Sequence, residues 1–146
     1  MDAIALKAAP GARVEITRIF YIMHGILRGL FTSKSFNLFF DWFYPSYLSR
    51  MVEGALNAFC DDDEVVCVVL KFLMELVNNR NNRLRFDTWN INGLIVFKET
   101  AKYVTELLKY WDSFRTKQIK SDSYKEKWKL IKSLSKVYHN MISGNY

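Results

Sequence analysis

The chain has 146 residues, half of them hydrophobic and a quarter charged, and its formal net charge is +6. This length limits it to one domain or part of one, and the composition is that of a chain able to bury a core. The longest apolar run, "VVCVVL" before Lys71, is too short to span a bilayer. The first residues, "MDAIALKAAPGAR", lack the apolar segment of a secretory signal, so we expect a soluble intracellular protein.

Two features of the composition favour an all-α fold. Only two prolines occur, Pro10 and Pro45, and the residues between them repeat apolar side chains at helical spacing. Eleven Phe, eight Tyr and four Trp supply large apolar side chains for a core. The cysteines Cys60 and Cys67 do not form a metal-binding pair, and we interpret them as small apolar thiols that stay reduced. We therefore expect an all-α protein without a metal or a cofactor.

The first predicted element is a helix over about residues 13–31. Residues 1–12 contain Ala, Pro and Gly without a period, which predicts a disordered tail or an artefact of the gene model. Gly25 and Gly29 lie four residues apart, a spacing that suits close helix packing, although each glycine weakens the helix itself. The apolar side of the helix consists of Ile16, Phe20, Met23 and Leu27, widened by Ile19, Ile22 and Ile26.

A dense aromatic segment, "FNLFFDWFYPSY", comes next. Tyr44 precedes a proline and is therefore expected to be extended, whereas Pro45 suits the first turn of a helix. We predict a helix hairpin over about 46–78. Asp61 and Glu64 resemble a capping box at the start of its second helix, while the alternative of a calcium loop lacks the alternating ligands and the central glycine.

The second helix of this hairpin, from Val65 to Val77, is apolar nearly all round. Its only charged residues are Lys71 and Glu75, which lie four apart on one side. Such a helix must be covered on several sides. A single hairpin cannot cover it, but a stack of helix pairs can.

The last predicted element is a second hairpin over about 93–142. Asn92 can cap its first helix, and a polar linker, "DSFRTKQIKSDS", leads to the second. Residues 98–146 carry eleven basic and five acidic side chains, whereas residues 1–97 carry ten of each. Two hairpins in series predict a HEAT or armadillo-type solenoid segment. One side of the last helix presents Lys125, Lys129, Lys132 and Lys136 at helical spacing, either as a solvated surface or as a surface for an acidic partner.

The loop "NNRNNRLRFDTWNIN" between the hairpins is the best candidate for a contact surface. Arg80, Arg83 and Arg85 could bind carboxylates of a partner through paired hydrogen bonds. The alternative, which we favour, is structural: arginines near a helix C terminus bind its free carbonyls, and Leu84 and Phe86 hold the loop against the helices. The sequence contains no placed nucleophile or nucleotide-binding loop, and His24 and His139 fit core or boundary positions better than the role of a catalytic base, so we do not expect an enzyme.

Four blocks of the sequence resemble one known family. "LFFDWFYPSYLSRMVEGAL", "VVLKFLMELVNNRNNRLRFD", "NGLIVFKETAKYV" and "SGNY" are similar, in order and spacing, to blocks of the exportin-7 and Ran-binding protein 16/17 family of the importin-β superfamily. The resemblance covers about residues 15–146 and matches an interior part of much longer proteins. The chain departs from the family at Ile91, where the family usually has proline, and in the linker 112–123.

The resemblance implies HEAT repeats and a part in Ran-GTP-dependent export of protein cargo through the nuclear pore. It implies Ran-GTP, cargo and nuclear pore proteins as partners, a location in nucleus and cytoplasm, and non-covalent binding rather than catalysis. No Ran-contact residue is carried over to this chain. Two alternatives remain: a stand-alone helical-repeat scaffold that binds proteins without transport, and a basic nucleic-acid-binding module, whose binding would fall steeply with salt.

Overall fold

The structure, a computed structural model, describes residues 3–115 and the positions 132, 135–137, 139 and 140, with side chains described to residue 109 and at those later positions. This part of the chain contains helices and no strand, which confirms the predicted all-α class. A π-helical turn spans Tyr44–Leu48 and a 3-10 turn spans Arg80–Asn82. The α-helices of the described residues are α1 (Ala3–Ala8), α2 (Ala12–Gly29), α3 (Ser33–Phe43), α4 (Ser49–Phe59), α5 (Asp63–Leu76) and α6 (Asn92–Arg115).

Helix α5 is the centre of the core. It packs against α2 and against α4, and the ring of Phe72 meets Phe20 of α2 at 5.4 Å and Phe43 of α3 at 6.1 Å, both edge to face. The prediction that a helix apolar nearly all round is covered on several sides is confirmed. The residues of α5 that are buried are Val65, Val66, Val68, Val69, Leu70, Phe72, Leu73, Glu75 and Leu76.

The sequence predicts that Pro45 begins a new helix, and this is wrong. Pro45 lies inside a continuous helical run from α3 through the π turn into α4. The preceding Tyr44 has helical dihedral angles, φ −58° and ψ −52°. A proline ring removes one backbone donor and crowds the preceding turn, and the wider π turn accommodates this. The Tyr44 ring stacks on Phe40 at 5.2 Å. The first helix of the predicted hairpin over 46–78 therefore extends back to Ser33.

Residues Ala3–Ala8 form helix α1, where the sequence predicts a disordered tail. The segment AIALKA consists mainly of good helix formers, and Ala3 and Leu6 pack against the core. Lys7 Nζ donates to Asp61 Oδ2 at 2.6 Å, which ties α1 to the turn between α4 and α5. Gly11, with φ 74°, takes the left-handed conformation that leads the chain into α2.

Asp62, rather than the predicted Asp61, caps α5. Its Oδ1 accepts the backbone N–H groups of Glu64 at 3.1 Å and Val65 at 3.2 Å. The Arg13 guanidinium of α2 bonds the carboxylates of both Asp62 and Glu64. Burial raises the pKa of Asp62, but Arg13 and the backbone donors outweigh it and hold that pKa below its ordinary value of 3.8.

Asp62→Ala is expected to lower the free energy of unfolding by about 1 to 2 kcal/mol at pH 7, since the N-cap of the central helix is lost. A depressed pKa stabilises the fold above the ordinary aspartate value and ceases to do so as the pH falls through the folded value. Urea titrations at pH 7 and at successively lower pH would therefore show the difference between variant and parent shrinking once the pH passes below 3.8. A difference that stays constant over this range would contradict the role of the ionised carboxylate.

Helix α6 packs against α4, and Lys102 Nζ donates to Glu53 Oε1 at 2.7 Å. The second helix of the predicted hairpin over 93–142 lies mostly outside the described residues. Of the positions described there, Val137 is buried and Asn140 Nδ2 donates to the Met74 carbonyl of α5 at 3.2 Å. None of the described helices is both long and apolar enough to cross a membrane.

Thr100 on the inner side of α6 is fully buried, and its Oγ1 has no hydrogen-bond partner among the described residues. A buried hydroxyl without a partner costs free energy, and an apolar group of the same shape removes that cost. Thr100→Val is therefore expected to raise the free energy of unfolding by about 1 kcal/mol. Thr105→Val, on the exposed side of the same helix, is the control, and equal effects of the two changes in urea titrations would refute the assignment.

Candidate functional site

The loop between α5 and α6 is ordered by its asparagines. Asn81 and Asn82 have φ of 55° and 52°, a left-handed conformation that asparagine tolerates better than most residues. Asn79 Oδ1 accepts the backbone N–H of Leu84 at 2.9 Å, and Asn81 Nδ2 donates to the Phe31 carbonyl at 3.2 Å. The repeated asparagines thus stabilise a tight turn and fasten it to the end of α2.

Arg83, one of the three predicted surface arginines, is fully buried. Its Nη1 donates to the carbonyls of Leu27 at 2.6 Å and Leu30 at 3.0 Å, at the C terminus of α2. Its Nη2 donates to the Glu75 carbonyl at 2.6 Å, and its Nε donates to the Asn78 carbonyl at 3.0 Å, at the C terminus of α5. One guanidinium therefore donates to carbonyls at two helix ends, of which those of Leu27 and Glu75 also accept a backbone N–H. A place for Arg83 on a partner surface is wrong, because no part of its side chain reaches solvent.

The negative partner of Arg83 lies on α5. Glu75 is buried, and its Oε1 accepts from Arg80 Nη2 at 2.9 Å and lies 3.4 Å from Arg83 Nη2. The Arg83 guanidinium also stands over the ring of Phe36, 5.0 Å from its centre, a favourable cation–π arrangement. Burial lowers the pKa of Arg83, and the Glu75 carboxylate opposes that shift. Glu75 and Lys71 share a helix side, as predicted, but only Lys71 is exposed.

The second half of the loop packs onto the start of α6. Gly93 donates its N–H to the Arg85 carbonyl at 2.7 Å, and the Phe86 ring meets Phe97 edge to face at 5.4 Å. Leu84 is buried. The prediction that Leu84 and Phe86 hold the loop against the helices is confirmed.

Asn92 is the first residue of α6. The sequence predicts that its side chain caps this helix, but the side chain bonds elsewhere. Its Nδ2 instead donates to Asn37 Oδ1 and Asp41 Oδ1 of α3, each at 3.0 Å. The backbone N–H of Asn92 is bonded by Asn90 Oδ1 at 2.9 Å. The start of α6 is therefore fixed to α3 by side-chain hydrogen bonds.

Two of the predicted surface arginines retain access to solvent. Arg80 is partly exposed beside Glu75, and Arg85 is exposed, with its Nε donating to Ser33 Oγ at 2.8 Å. Sequence reasoning missed Trp89, whose side chain is 97% exposed. Asp87 Oδ1 accepts the backbone N–H of Trp89 at 3.1 Å and so holds this indole on a defined turn. Trp is enriched among the residues that dominate protein–protein binding, so Trp89 is a candidate contact residue.

The predicted basic side of the last helix is described only in part. Lys132 and Lys136 are exposed and helical, whereas Lys125 and Lys129 lie outside the described residues. Within the described part of the chain, no group of three His, Cys, Asp or Glu side chains could hold a metal ion. Cys60 and Cys67 are free thiols.

Comparison with known proteins gives a consistent set of relatives. The chain is 33% identical to exportin-7-B of Xenopus laevis over 126 residues, which cover 85% of this chain and 11% of that protein. It is 35% identical to exportin-7 of Dictyostelium discoideum over 128 residues, 82% of this chain and 12% of that protein. Human Ran-binding protein 17 is 35% identical over 82 residues, 56% of this chain and 7% of its own length. The chain thus spans about a ninth of the length of the exportin-7 relatives that it matches. No protein-family model and no solved structure matches the chain.

Proposed function

Because this chain belongs by sequence to the exportin-7 and Ran-binding protein 16/17 family, we propose that it is a helical-repeat segment of a nuclear transport receptor. In this proposal it takes part in Ran-GTP-dependent export of protein cargo, working in nucleus and cytoplasm and at the nuclear pore. The observation that carries the proposal is the match to exportin-7 over 85% of the chain at 33% identity. The all-α fold supports it, since exportins are helical HEAT-repeat proteins.

The proposed mechanism is non-covalent. A stack of helix pairs offers a long surface to its partners, and each pair supplies a few side chains to it. In this segment the exposed cations Arg85, Lys132 and Lys136, and the partly exposed Arg80, would meet acidic groups of a partner, and Trp89 would supply an apolar contact. The buried Arg83, together with Asn79 and Asn81, fixes the loop that carries this surface to the helices.

Capture on immobilised Ran tests the proposal. The full chain, and the chain extended by the coding sequence on either side of it, are applied to Ran locked in its GTP state and to Ran loaded with GDP. Retention on the GTP form alone, by at least the extended chain, is expected. If neither protein is retained on either form of Ran, the proposed function is refuted.

Charge-reversal variants test whether the loop between α5 and α6 contributes to retention on Ran. Arg85→Glu is expected to weaken retention at least tenfold if the loop meets an acidic partner, an effect of about 1.4 kcal/mol. Arg50→Glu is the matched control, because Arg50, like Arg85, is exposed but lies on α4. Equal retention of the loop variant and the control would exclude the loop as a contact surface.

A stand-alone scaffold is the second candidate, favoured by one observation. Helix α5 is already covered on several sides within the described residues, so this part of the chain holds a closed core. A scaffold would bind other proteins and show no preference between the GTP and GDP forms of Ran. A nucleic-acid-binding module would instead retain DNA or RNA with an affinity that falls steeply between low and physiological salt.

A further inference from the structure

The sequence contains one Asn–Gly pair, Asn92–Gly93, at the start of α6. Asparagine followed by glycine is prone to deamidation, because glycine has no side chain to hinder ring closure. The Gly93 nitrogen loses its proton and bonds Asn92 Cγ, the Cγ–Nδ2 bond breaks, and ammonia leaves. Water then opens the five-membered ring at one of its two carbonyls and gives aspartate or isoaspartate. The reaction consumes only water.

In the folded chain the attacking nitrogen is held away from its target. The Gly93 N–H donates to the Arg85 carbonyl at 2.7 Å, so the proton that must leave is engaged. The peptide group between positions 92 and 93 lies in the first turn of α6, where the Ile95 N–H donates to the Ile91 carbonyl at 3.1 Å. A helical backbone keeps the Gly93 nitrogen from reaching the Asn92 side chain. Ring closure therefore requires that this turn open.

The Asn92 side chain, the group under attack, is held as well. It is only 8% exposed, and its Nδ2, which carries two protons, donates to Asn37 Oδ1 and Asp41 Oδ1 of α3 at 3.0 Å each. Asn37 Nδ2 donates in turn to Ser33 Oγ at 3.1 Å, which fixes the orientation of the Asn37 amide. Loss of ammonia from Asn92 would therefore remove both of these bonds between α6 and α3.

The products of deamidation do not fit this place. Aspartate at position 92 would set a carboxylate oxygen against Asn37 Oδ1 and Asp41 Oδ1, where no proton is available between acceptors, and the two carboxylates would repel each other. Isoaspartate would insert a methylene into the backbone beside Gly93, where even a Cβ would lie 2.5 Å from the Arg85 carbonyl oxygen. Refolding therefore does not restore the contact once the reaction has occurred.

We propose that Asn92 is a site of spontaneous deamidation that acts as an irreversible switch. The site is protected while the first turn of α6 is docked, and it reacts when that turn opens. Conversion detaches α6 from α3 and releases the Arg85 carbonyl from Gly93, so the half of the loop that carries Arg85 and Trp89 loses its fixed position. The proposal does not depend on binding of Ran or cargo, and a failed Ran capture would leave it intact.

Peptide mass spectrometry of the full chain measures the protection. Trypsin releases residues 86–98 as one peptide, which contains Asn92 and also Asn90, an internal control because the branched Ile91 that follows it hinders ring closure. The chain is incubated at one pH and temperature, either folded or unfolded in urea. Conversion at Asn92 is expected to be slower by roughly tenfold or more in the folded chain.

Three results of this measurement would overturn the proposal. One is an equal rate of conversion at Asn92 in the folded and unfolded chains. Another is a folded chain in which Asn92 never converts. The third is an unfolded chain in which Asn92 converts no faster than Asn90.

The variant Asn92→Asp tests the effect of the product. It is expected to lower the urea midpoint and to speed hydrogen exchange of the amides in the first turn of α6 by roughly tenfold or more. Asn90→Asp is the matched control, because Asn90 Oδ1 only accepts, from the Asn92 backbone N–H at 2.9 Å, and a carboxylate accepts equally well. This control is expected to leave the midpoint unchanged.

A second change separates repulsion from a general failure to fold. In the Asn92→Asp background, Asp41→Asn supplies an amide that donates to the new carboxylate, and it is expected to raise the urea midpoint back towards that of the parent. If Asn92→Asp lowers the midpoint no more than Asn90→Asp does, or if Asp41→Asn does not restore it, the product is not rejected at the contact with α3 and the proposal is wrong.

Discussion

Arg83→Met is expected to lower the free energy of unfolding by about 3 to 5 kcal/mol. Methionine fills much of the space but donates no hydrogen bond, so the carbonyls of Leu27, Leu30 and Glu75 lose the guanidinium. The buried Glu75 carboxylate keeps only Arg80, which is partly exposed. Removal of one partner of a buried ion pair leaves a charge that is costly to keep out of water, and each buried carbonyl that loses its charged donor adds to that cost.

Urea titration of the Arg83→Met variant measures this effect, with Arg85→Met as the matched control. Arg85 is exposed and two residues away along the chain, and its replacement is expected to change the free energy of unfolding by no more than about 0.5 kcal/mol. Arg83→Lys is expected to fall close to Arg83→Met, because one ammonium cannot reach carbonyls at both helix ends. Similar unfolding midpoints for the changes at positions 83 and 85 would show that the buried guanidinium does not hold the fold.

Gly93→Ala is expected to lower the free energy of unfolding by about 2 to 3 kcal/mol. A Cβ at this position would lie 2.5 Å from the Arg85 carbonyl oxygen and 2.7 Å from the Phe86 ring. The Arg85 carbonyl is fixed by its hydrogen bond from the Gly93 N–H, so the methyl group would force the loop away from α6.

Gly54→Ala in α4 is the control for this change. A Cβ at Gly54 would meet no atom within 4 Å, and alanine favours a helix over glycine by about 1 kcal/mol. The two glycine-to-alanine changes are thus expected to shift the thermal unfolding midpoint in opposite directions. A fall of the same size in both variants would mean that close approach of the loop is not the reason for glycine at position 93.

The helices could be predicted where side-chain periodicity and burial agree. Helix α5 is the clearest case, since a run of apolar residues from Val65 to Leu76 has no stable position except inside a core. Pro45 was harder, because local rules place a proline at a helix start, whereas stacked rings on either side keep the helix continuous. Helix α1 depends on contacts with residues far along the chain, such as the Lys7–Asp61 ion pair, which no local pattern shows.

The loop between α5 and α6 shows why the roles of site residues are hard to predict from the sequence. Arg80, Arg83 and Arg85 are alike in sequence, and both roles considered for them follow from the same chemistry. Which arginine turns inward depends on where the C terminus of α2 lies, more than fifty residues earlier in the chain. The structural interpretation is right for Arg83, while the partner surface formed by the other two arginines stays a prediction.

The guanidinium of Arg83 also has a mechanical consequence. It joins the ends of two packed helices, α2 and α5, by directional bonds rather than by apolar contact alone. Apolar surfaces can slide over one another at small cost, but a change in the angle between these helices would break several hydrogen bonds together. The angle between α2 and α5 is therefore held by hydrogen bonds as well as by packing.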